Sequence, residues 1–240
     1  MKAVWERYFR RLEMSVLLPL AAMAGAAWLF VEIADEVLEG ESGAWDRRLL
    51  LALRSAGDLA DPLGPPWLEE MARDFTALGG VGVLVVITAA ALGYLWLAGK
   101  RHAALAVLVA VAGGQLLSLA LKAGFDRERP DLVPHEVAVY TASFPSGHSM
   151  MAAITYLTLG AMLARVEASL TIKGYLLGLA LVLTLLVGAS RVYLGVHWPT
   201  DVAAGWAIGA AWALFCQSGM QWLQRRGAVE RPVSEAGGTR

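Results

Sequence analysis

The hydrophobic residues of this chain are concentrated in long runs separated by short polar segments. A helix needs about 20 apolar residues to cross the hydrocarbon core of a bilayer, which is roughly 30 Å thick. Six runs come close to that length, and we predict that each forms a membrane-spanning helix: Met14–Ile33, Leu78–Leu97, Ala103–Leu121, Ser149–Ala164, Tyr175–Gly188 and Val202–Trp222.

The composition also indicates a membrane protein. Of the 240 residues, 57% are hydrophobic and only 17% are charged, whereas soluble proteins carry about 25% charged residues. The net charge of −1 gives no reason to expect a nucleic-acid partner. The predicted fold class is therefore all-α, with one integral membrane bundle of six transmembrane helices over residues 1–222 and a short polar cytoplasmic tail over residues 223–240.

Glycines recur four residues apart in two of these runs, at Gly174/Gly178 and at Gly205/Gly209. This spacing favours close contact between helix backbones in a membrane, although in a glycine-rich chain chance gives the same pattern.

The loop between the first two runs contains an amphipathic segment. Within Ala44–Asp58, Trp45 and several leucines fall on one side, and charged residues are interleaved with them. The pattern is typical of a short interfacial helix at the membrane surface, here in the first extracytoplasmic loop. Its arginines, Arg47, Arg48 and Arg54, are interpreted as interfacial anchors.

The positions of lysine and arginine orient the bundle, because cytoplasmic loops are enriched in both. They cluster near the N-terminus, in the short connections after the second and fourth runs, and in the tail, as at Arg10, Lys100, Arg165 and Arg225. We therefore expect both termini in the cytoplasm. The predicted location is the cell (inner) membrane of a bacterium, with the functional site facing the periplasm or cell exterior.

Three polar clusters fall on that outer side of the predicted topology. They are Lys122 with Arg129-Pro130 after the third run, Pro145-Ser146-Gly147-His148 at the start of the fourth, and Ser190-Arg191 with His197 and Asp201 between the fifth and the sixth. The six helices thus bring three cationic side chains and two histidines to one water–membrane boundary.

This combination of side chains suits a phosphate ligand. The transition state of phosphoryl transfer spreads negative charge over the phosphate oxygens, and positioned cations and amide donors stabilise it. Lys122, Arg129 and Arg191 are the candidate phosphate-binding cations. Ser146 and Gly147 begin a predicted helix, where free backbone N–H groups and the helix dipole favour the same anion.

His197 is the candidate nucleophile, and Asp201 is the group that orients it. Because they are four residues apart on a helical turn, the carboxylate can reach one imidazole nitrogen, fix the tautomer and leave the other nitrogen to attack. His148 is the candidate general acid for the leaving group, and then the base for the water that hydrolyses a phosphohistidine.

Other polar residues have simpler interpretations. Gln115 and Ser118 precede Lys122 on one helix face and predict a polar stripe that leads to the site. His135 is interpreted as structural or adjacent to substrate. Loop ion pairs are the interpretation for Asp126, Arg127, Glu128 and Asp131. The histidines and carboxylates lack the spacing of a closed metal site, so we expect no metal and no other cofactor.

Together the three clusters resemble the type 2 phosphatidic acid phosphatase superfamily, whose pattern is K-x6-R-P, P-S-G-H and S-R-x5-H-x3-D. Every position is matched in order, by Lys122-x6-Arg129-Pro130, by Pro145-Ser146-Gly147-His148 and by Ser190-Arg191-x5-His197-x3-Asp201. The resemblance implies a metal-independent phosphatase with an all-α membrane core. It assigns the acid to His148, the nucleophile to His197 and the orienting carboxylate to Asp201. It also assigns a phosphate-binding set: Lys122, Arg129, Ser146, Gly147 and Arg191.

Three other functions share part of this pattern. Vanadium-dependent haloperoxidases use the same pocket but are typically soluble, and a transporter would need polar residues across the whole bilayer. A lipid phosphotransferase would use the same phosphohistidine and remains the alternative. The predicted function is dephosphorylation of a membrane lipid phosphate or diphosphate of the phosphatidate, phosphatidylglycerol phosphate or undecaprenyl diphosphate class. No sequence pattern separates these substrates.

Overall fold

The computed structural model describes residues 2–131 and 142–226, with side chains from residue 17 onward apart from Val166. His135 and the end of the predicted tail, from residue 227, lie outside this part of the chain. The described residues form eight α-helices and one antiparallel hairpin: α1 (Lys2–Glu39), α2 (Gly43–Leu51), β1 (Arg54–Ser55), β2 (Asp58–Pro62), α3 (Pro66–Ala77), α4 (Val81–Leu97), α5 (Arg101–Gly124), α6 (Gly147–Val166), α7 (Leu170–Tyr193) and α8 (Pro199–Arg225).

The six predicted spans coincide with α1, α4, α5, α6, α7 and α8, so the helical fold class is confirmed. Within the described chain, three helical stretches are long and apolar enough to cross a membrane: Leu17–Glu39, Arg101–Gly124 and Leu170–Tyr193. The pair α3 and α4, bent by 49°, gives a fourth if it is one span. Three or four membrane spans are therefore supported in the described chain, and the prediction of six is not confirmed.

Helices α6 and α8 form the interior of the bundle, which explains why they are less apolar than the outer helices. Helix α6 packs against α5, α7 and α8, while α8 also packs along α1. Residues 149–154 of α6 are all buried. Because these helices contact protein rather than lipid over much of their surface, small and polar residues replace some of the large apolar ones.

Two glycines let α8 approach α6 closely. A side chain at Gly205 would lie 2.8 Å from the Ser146 carbonyl oxygen, and one at Gly209 would lie 2.7 Å from that of Met150. The close approach predicted for this glycine pair is confirmed. The pair Gly174/Gly178 has open space around it, so the same spacing has no packing role there.

The interfacial helix predicted over Ala44–Asp58 is wrong beyond Leu51, where α2 ends and the chain enters the β1–β2 hairpin. Arg54 is buried rather than exposed at the surface, and it donates a hydrogen bond of 2.6 Å to the Tyr193 carbonyl oxygen. Burial of this guanidinium requires such acceptors and fixes the hairpin against the end of α7. Trp45 and Leu49 of α2 are exposed, so a membrane-facing role for them stays a prediction.

Helix α3 has no counterpart in the predictions, which left its residues in a loop. Pro65 is its N-cap and Pro66 is its first residue, where the missing proline N–H costs nothing. The chain then bends through Gly79, which packs against His148 and Val187 so closely that a side chain there would lie 2.4 Å from the Val187 methyl. This bend brings the end of α3 and the start of α4 beside the predicted site.

Large hydrophobic side chains cover the outside of the bundle. Trp28, Val86, Leu116 and Leu181 are at least half exposed, each on a different helix. Exposure of this many large apolar groups suits a hydrocarbon solvent and agrees with a membrane protein.

Candidate active site

The three sequence clusters meet at one end of the bundle, where α5 and α7 end and α4, α6 and α8 begin. Most of the predicted site residues line a single cavity of about 740 Å³ at this end: Lys122, Arg129, Gly147, His148, Arg191 and His197. Ser146 and Asp201 are fully buried behind its wall. The structure therefore brings the predicted set together.

The start of α8 holds His197 and Asp201 in contact. Pro199 is the first residue of the helix, and Trp198 immediately precedes it. The backbone N–H of Trp198 donates a hydrogen bond of 3.0 Å to the Asp201 carboxylate. The same carboxylate oxygen lies 3.2 Å from Nδ1 of His197. Asp201 thus caps the helix and fixes the imidazole ring at once.

Arg129 defines which imidazole nitrogen carries the proton. Its Nη1 lies 3.1 Å from Nε2 of His197, and a guanidinium can only donate hydrogen bonds. We infer that Nε2 is the accepting nitrogen and that Nδ1 carries the proton and donates it to Asp201. Burial lowers the pKa of His197 below its ordinary value, against the opposing hydrogen bond to Asp201. The ring is therefore neutral at neutral pH, with its lone pair on Nε2.

A buried charge network supports Asp201 from behind. Arg127 donates hydrogen bonds of 2.6 Å to Asp201 and 2.5 Å to Asp46. Asp46 belongs to α2 and also accepts from the backbone N–H of Thr200 at 2.9 Å. The side chains of both carboxylates are almost completely buried. The prediction that Arg127 pairs within its own loop is wrong, since its partners are 81 and 74 residues away in sequence.

Ser143 is a second residue that sequence analysis missed. Its hydroxyl is fully buried, donates to the Asp201 carboxylate and lies 3.4 Å from Nδ1 of His197. It lies just before the P-S-G-H cluster, but neither its residue type nor its spacing indicates a role in the site. Contact across the fold, rather than sequence pattern, identifies both Arg127 and Ser143.

Each cation at the cavity is held by one or more neutral oxygen atoms. Lys122 donates to the Ala142 carbonyl at 2.8 Å, and Arg129 donates to the Val196 carbonyl at 3.0 Å. Arg191 donates to the Thr76 hydroxyl of α3 at 3.0 Å. Burial lowers the pKa of Arg129, and the nearby Asp201 raises it. Within the described residues, no carboxylate lines the cavity, so the positive charge there is available to an anion.

Ser146 and Gly147 differ in how they face the cavity. The backbone N–H of Ser146 donates to the Asp201 carbonyl at 2.9 Å, so the expectation of a free N–H at this residue is wrong. Its hydroxyl caps α6 and accepts a hydrogen bond from Ser149. Gly147 lines the cavity, and a side chain there would lie 3.4 Å from Cε of Lys122. Gly147 leaves room for a ligand oxygen beside Lys122.

Below the cations the cavity becomes apolar. It continues between α4 and α5, where its lining includes Leu84, Val85, Leu92, Leu108 and Leu119. A polar end joined to a long apolar groove has the form needed by a ligand with an anionic headgroup and a hydrocarbon chain. Among the described residues, no group of three or more His, Cys, Asp or Glu side chains is arranged to hold a metal ion.

Comparison with known proteins identifies the family. The family model described as the PAP2 superfamily matches residues 103–225, which is more than half of the chain and includes all three sequence clusters. The chain belongs to the PAP2 superfamily. The family and the class of enzyme predicted from sequence, a membrane phosphatase, are therefore confirmed.

Relatives within the PAP2 superfamily act on different lipid phosphates. The phosphatidylglycerophosphatase B of Bacillus subtilis strain 168 is 37% identical over 147 residues, which cover 60% of this chain and 71% of that protein. The undecaprenyl-diphosphatase of Sulfolobus acidocaldarius is 40% identical over 73 residues, which cover only 30% of this chain and 31% of that protein.

Solved structures of PAP2 proteins have the same fold. The crystal structure of the transmembrane PAP2 type phosphatidylglycerolphosphate phosphatase from Bacillus subtilis matches with a TM-score of 0.68 and 27% identity, over 86% of this chain and 98% of that one. The crystal structure of Aquifex aeolicus LpxE matches with a TM-score of 0.53 and 25% identity, over 71% of this chain and 93% of that one.

Proposed function

We propose that this PAP2 protein removes the terminal phosphate from a membrane lipid, using His197 as nucleophile and no metal or other cofactor. The observation that carries the proposal is the position of His197 Nε2 at a cavity that joins three cationic side chains to an apolar groove. The lipid class is phosphatidate, phosphatidylglycerol phosphate or undecaprenyl diphosphate, and the names of two relatives support the last two.

The reaction proceeds in two steps. In the first, the lone pair of His197 Nε2 attacks phosphorus, the bond from phosphorus to the lipid oxygen breaks, and His148 donates a proton to that leaving oxygen. Burial and the neighbouring Arg191 lower the pKa of His148 to about 3 in the protein alone, and the phosphate anion bound beside it raises that pKa so that His148 carries the proton. In the second, His148 takes a proton from water, the resulting hydroxide attacks phosphorus, and the phosphorus–nitrogen bond breaks. The products are the dephosphorylated lipid and inorganic phosphate, and both histidines return to their starting states.

The phosphate group is bound by Lys122, Arg129, Arg191 and the backbone of Gly147. Arginine donors match the planar arrangement of phosphate oxygens, and the lysine adds a mobile positive charge. Ser146 contributes indirectly, since its amide holds the Asp201 backbone and its side chain caps α6. Asp201 keeps His197 in the tautomer that can attack and stabilises positive charge on the ring during the reaction.

The membrane arrangement is part of the proposal. Residues 1–222 are one membrane domain, both termini are cytoplasmic, and the cavity opens toward the periplasm or cell exterior. The lipid tail stays in the bilayer while the headgroup enters the polar end of the cavity, so the substrate need not leave the membrane.

Phosphate release by the purified, detergent-solubilised protein in the presence of EDTA tests this function. The substrates are phosphatidate, phosphatidylglycerol phosphate, undecaprenyl diphosphate and a soluble phosphate ester, and His197→Ala is the control. We expect release from at least one lipid that persists in EDTA and is lost in the variant. Loss of activity in EDTA that added divalent metal restores would contradict the metal-free mechanism.

The alternative function is phosphotransfer from a lipid diphosphate to another acceptor through the same phosphohistidine. It predicts no free phosphate until an acceptor is added, followed by a phosphorylated acceptor. The assay above separates the two, because hydrolysis needs only water as the acceptor.

A further inference from the structure

The apolar groove runs well below the cations. Its lining extends along α4 from Val81 to Leu92 and along α5 from Lys122 back to Leu108. At a helical rise of 1.5 Å per residue, these stretches are about 16 and 21 Å long. Helix α4 leads away from the polar end and α5 leads toward it, and the two pack against each other.

A buried hydroxyl without a hydrogen-bond partner faces this groove. Thr88 lines the groove, is only 7% exposed, and its hydroxyl has no partner within the described residues. Threonine in a helix commonly bonds the carbonyl one turn earlier, as Thr184 does here with Ala180 at 2.8 Å. An unmade hydrogen bond in a buried site is costly, so a polar group left in this state marks a place where a ligand can supply the partner.

Gln115 lies across the groove at a similar depth. Thr88 is seven residues beyond Val81, and Gln115 is seven residues before Lys122, which puts each about 10 Å below the polar end. Gln115 also lines the groove and is half-buried. Its amide and the Thr88 hydroxyl can both donate to an acceptor between α4 and α5.

We propose that Thr88 and Gln115 form a binding subsite for the ester carbonyl groups of a glycerophospholipid whose terminal phosphate lies among Lys122, Arg129 and Arg191. The inference rests on the proposed function and narrows its substrate class. An acyl ester supplies the carbonyl oxygen that the Thr88 hydroxyl lacks and that the Gln115 amide can also bond. A polyprenyl chain has no hydrogen-bonding group below its phosphates and would leave Thr88 unsatisfied.

The depth of the subsite favours a lipid with a polar unit between the terminal phosphate and the diacylglycerol. In phosphatidylglycerol phosphate, a glycerol and a second phosphate separate the two. The groove beyond Thr88, toward Leu92 and Leu108, then holds the acyl chains.

The test compares two forms of phosphatidylglycerol phosphate that differ only in the linkage of their chains: a diacyl form with ester carbonyls and a dialkyl ether form without them. One hydrogen bond between neutral groups changes affinity by roughly two- to tenfold. We expect wild type to prefer the diacyl form about fivefold in kcat/KM. Thr88→Val, which replaces the hydroxyl with a methyl group, should lower kcat/KM for the diacyl form about two- to threefold and reduce the preference by the same factor, leaving the part that Gln115 contributes.

Thr155→Val is the matched control. Thr155 of α6 is also completely buried and its hydroxyl has no partner within the described residues, but it does not line the groove. We expect this variant to keep the ester preference. Absence of a preference in wild type, or a preference in Thr88→Val as large as that of wild type, would overturn the subsite while leaving the phosphatase function intact. Failure of wild type to act on either lipid, or on any lipid of the earlier panel, would overturn the proposed function itself.

Discussion

The two sides of His197 are built in opposite ways. On one side, the Asp201 cluster (Asp46, Arg127, Ser143 and Asp201) is closed: its charges are paired, and its members are buried or nearly so. On the other side, the cation face (Lys122, Arg129, His148 and Arg191) borders an open cavity and carries positive charge without a facing carboxylate among the described residues.

The difference indicates where each side finds its stabilising partners. The Asp201 cluster is satisfied by the protein alone, so it can hold the imidazole in one orientation before substrate arrives. On the cation face, Arg191 donates to the neutral Thr76 hydroxyl, and an anion bound in the cavity balances the positive charge there. The clustered positive charge on the open side destabilises the folded protein in the absence of ligand. A bound anion stabilises it again, because it binds only the folded state.

The largest effect is expected at the residue between the two sides. His197→Ala removes the attacking nitrogen, and turnover should fall at least about 10³-fold, because no other described group combines an orienting carboxylate with access to the phosphate. Phosphate release from the best lipid substrate measures the loss, with thermal unfolding as the check on folding. Near-normal turnover in a folded variant would exclude covalent catalysis by this residue.

Arg191→Lys tests the cation face. A lysine keeps the charge but not the planar pair of donors, so we expect kcat/KM to fall about 10²-fold. Thermal stability should change little, because the substitution keeps the charge and affects a hydrogen bond to the neutral Thr76 hydroxyl rather than a buried ion pair. A large loss of stability in Arg191→Lys would show that this face is as closed as the other one and would remove the contrast.

Arg127→Met tests the Asp201 cluster. The variant leaves two buried carboxylates without their cation, and loss of one partner of a buried ion pair costs about 3–5 kcal/mol of stability. At temperatures where the protein stays folded, kcat should fall roughly tenfold with KM little changed, because the imidazole is less well held. Equal losses of kcat and substrate affinity would instead place Arg127 on the ligand side.

The smallest effects are expected at the contact between α6 and α8, the helices that carry His148 and Asp201. Gly205→Ala forces α8 away from the Ser146 carbonyl oxygen and should cost about 1–3 kcal/mol in unfolding free energy. Gly178→Ala is its matched control, since it adds a methyl group to a helix face with open space and should cost nothing measurable. Equal destabilisation by the two variants would contradict the assigned α6–α8 packing.

Sequence alone predicted the parts of the site that depend on local pattern. Apolar runs marked the helices, and the four-residue spacing of His197 and Asp201 predicted a contact that lies within one turn. The glycine pairs show the limit of such patterns. Gly205/Gly209 and Gly174/Gly178 have the same spacing, yet only the pair that meets a neighbouring helix packs closely.

The missed features all depend on distant parts of the chain. Asp46 meets Arg127 across 81 residues, and Thr76 meets Arg191 across 115. The backbone N–H of Ser146, expected to be free at a helix start, pairs with the Asp201 carbonyl of another helix. Thr88 sits in an apolar run, where one hydroxyl has no effect on hydropathy. Thr88 is recognised as a candidate binding residue only from the fold, in which it lines the groove between α4 and α5.

The covalent role of His197 is tested most directly by trapping the intermediate. A lipid substrate labelled in its terminal phosphate is mixed with enzyme, quenched in alkali within one turnover, and the protein is examined for label that is stable to alkali but released by acid, as expected of a phosphorus–nitrogen bond. We predict such label in wild type and none in His197→Ala. Full turnover by wild type without any protein-bound label, or label that persists in His197→Ala, would contradict the account.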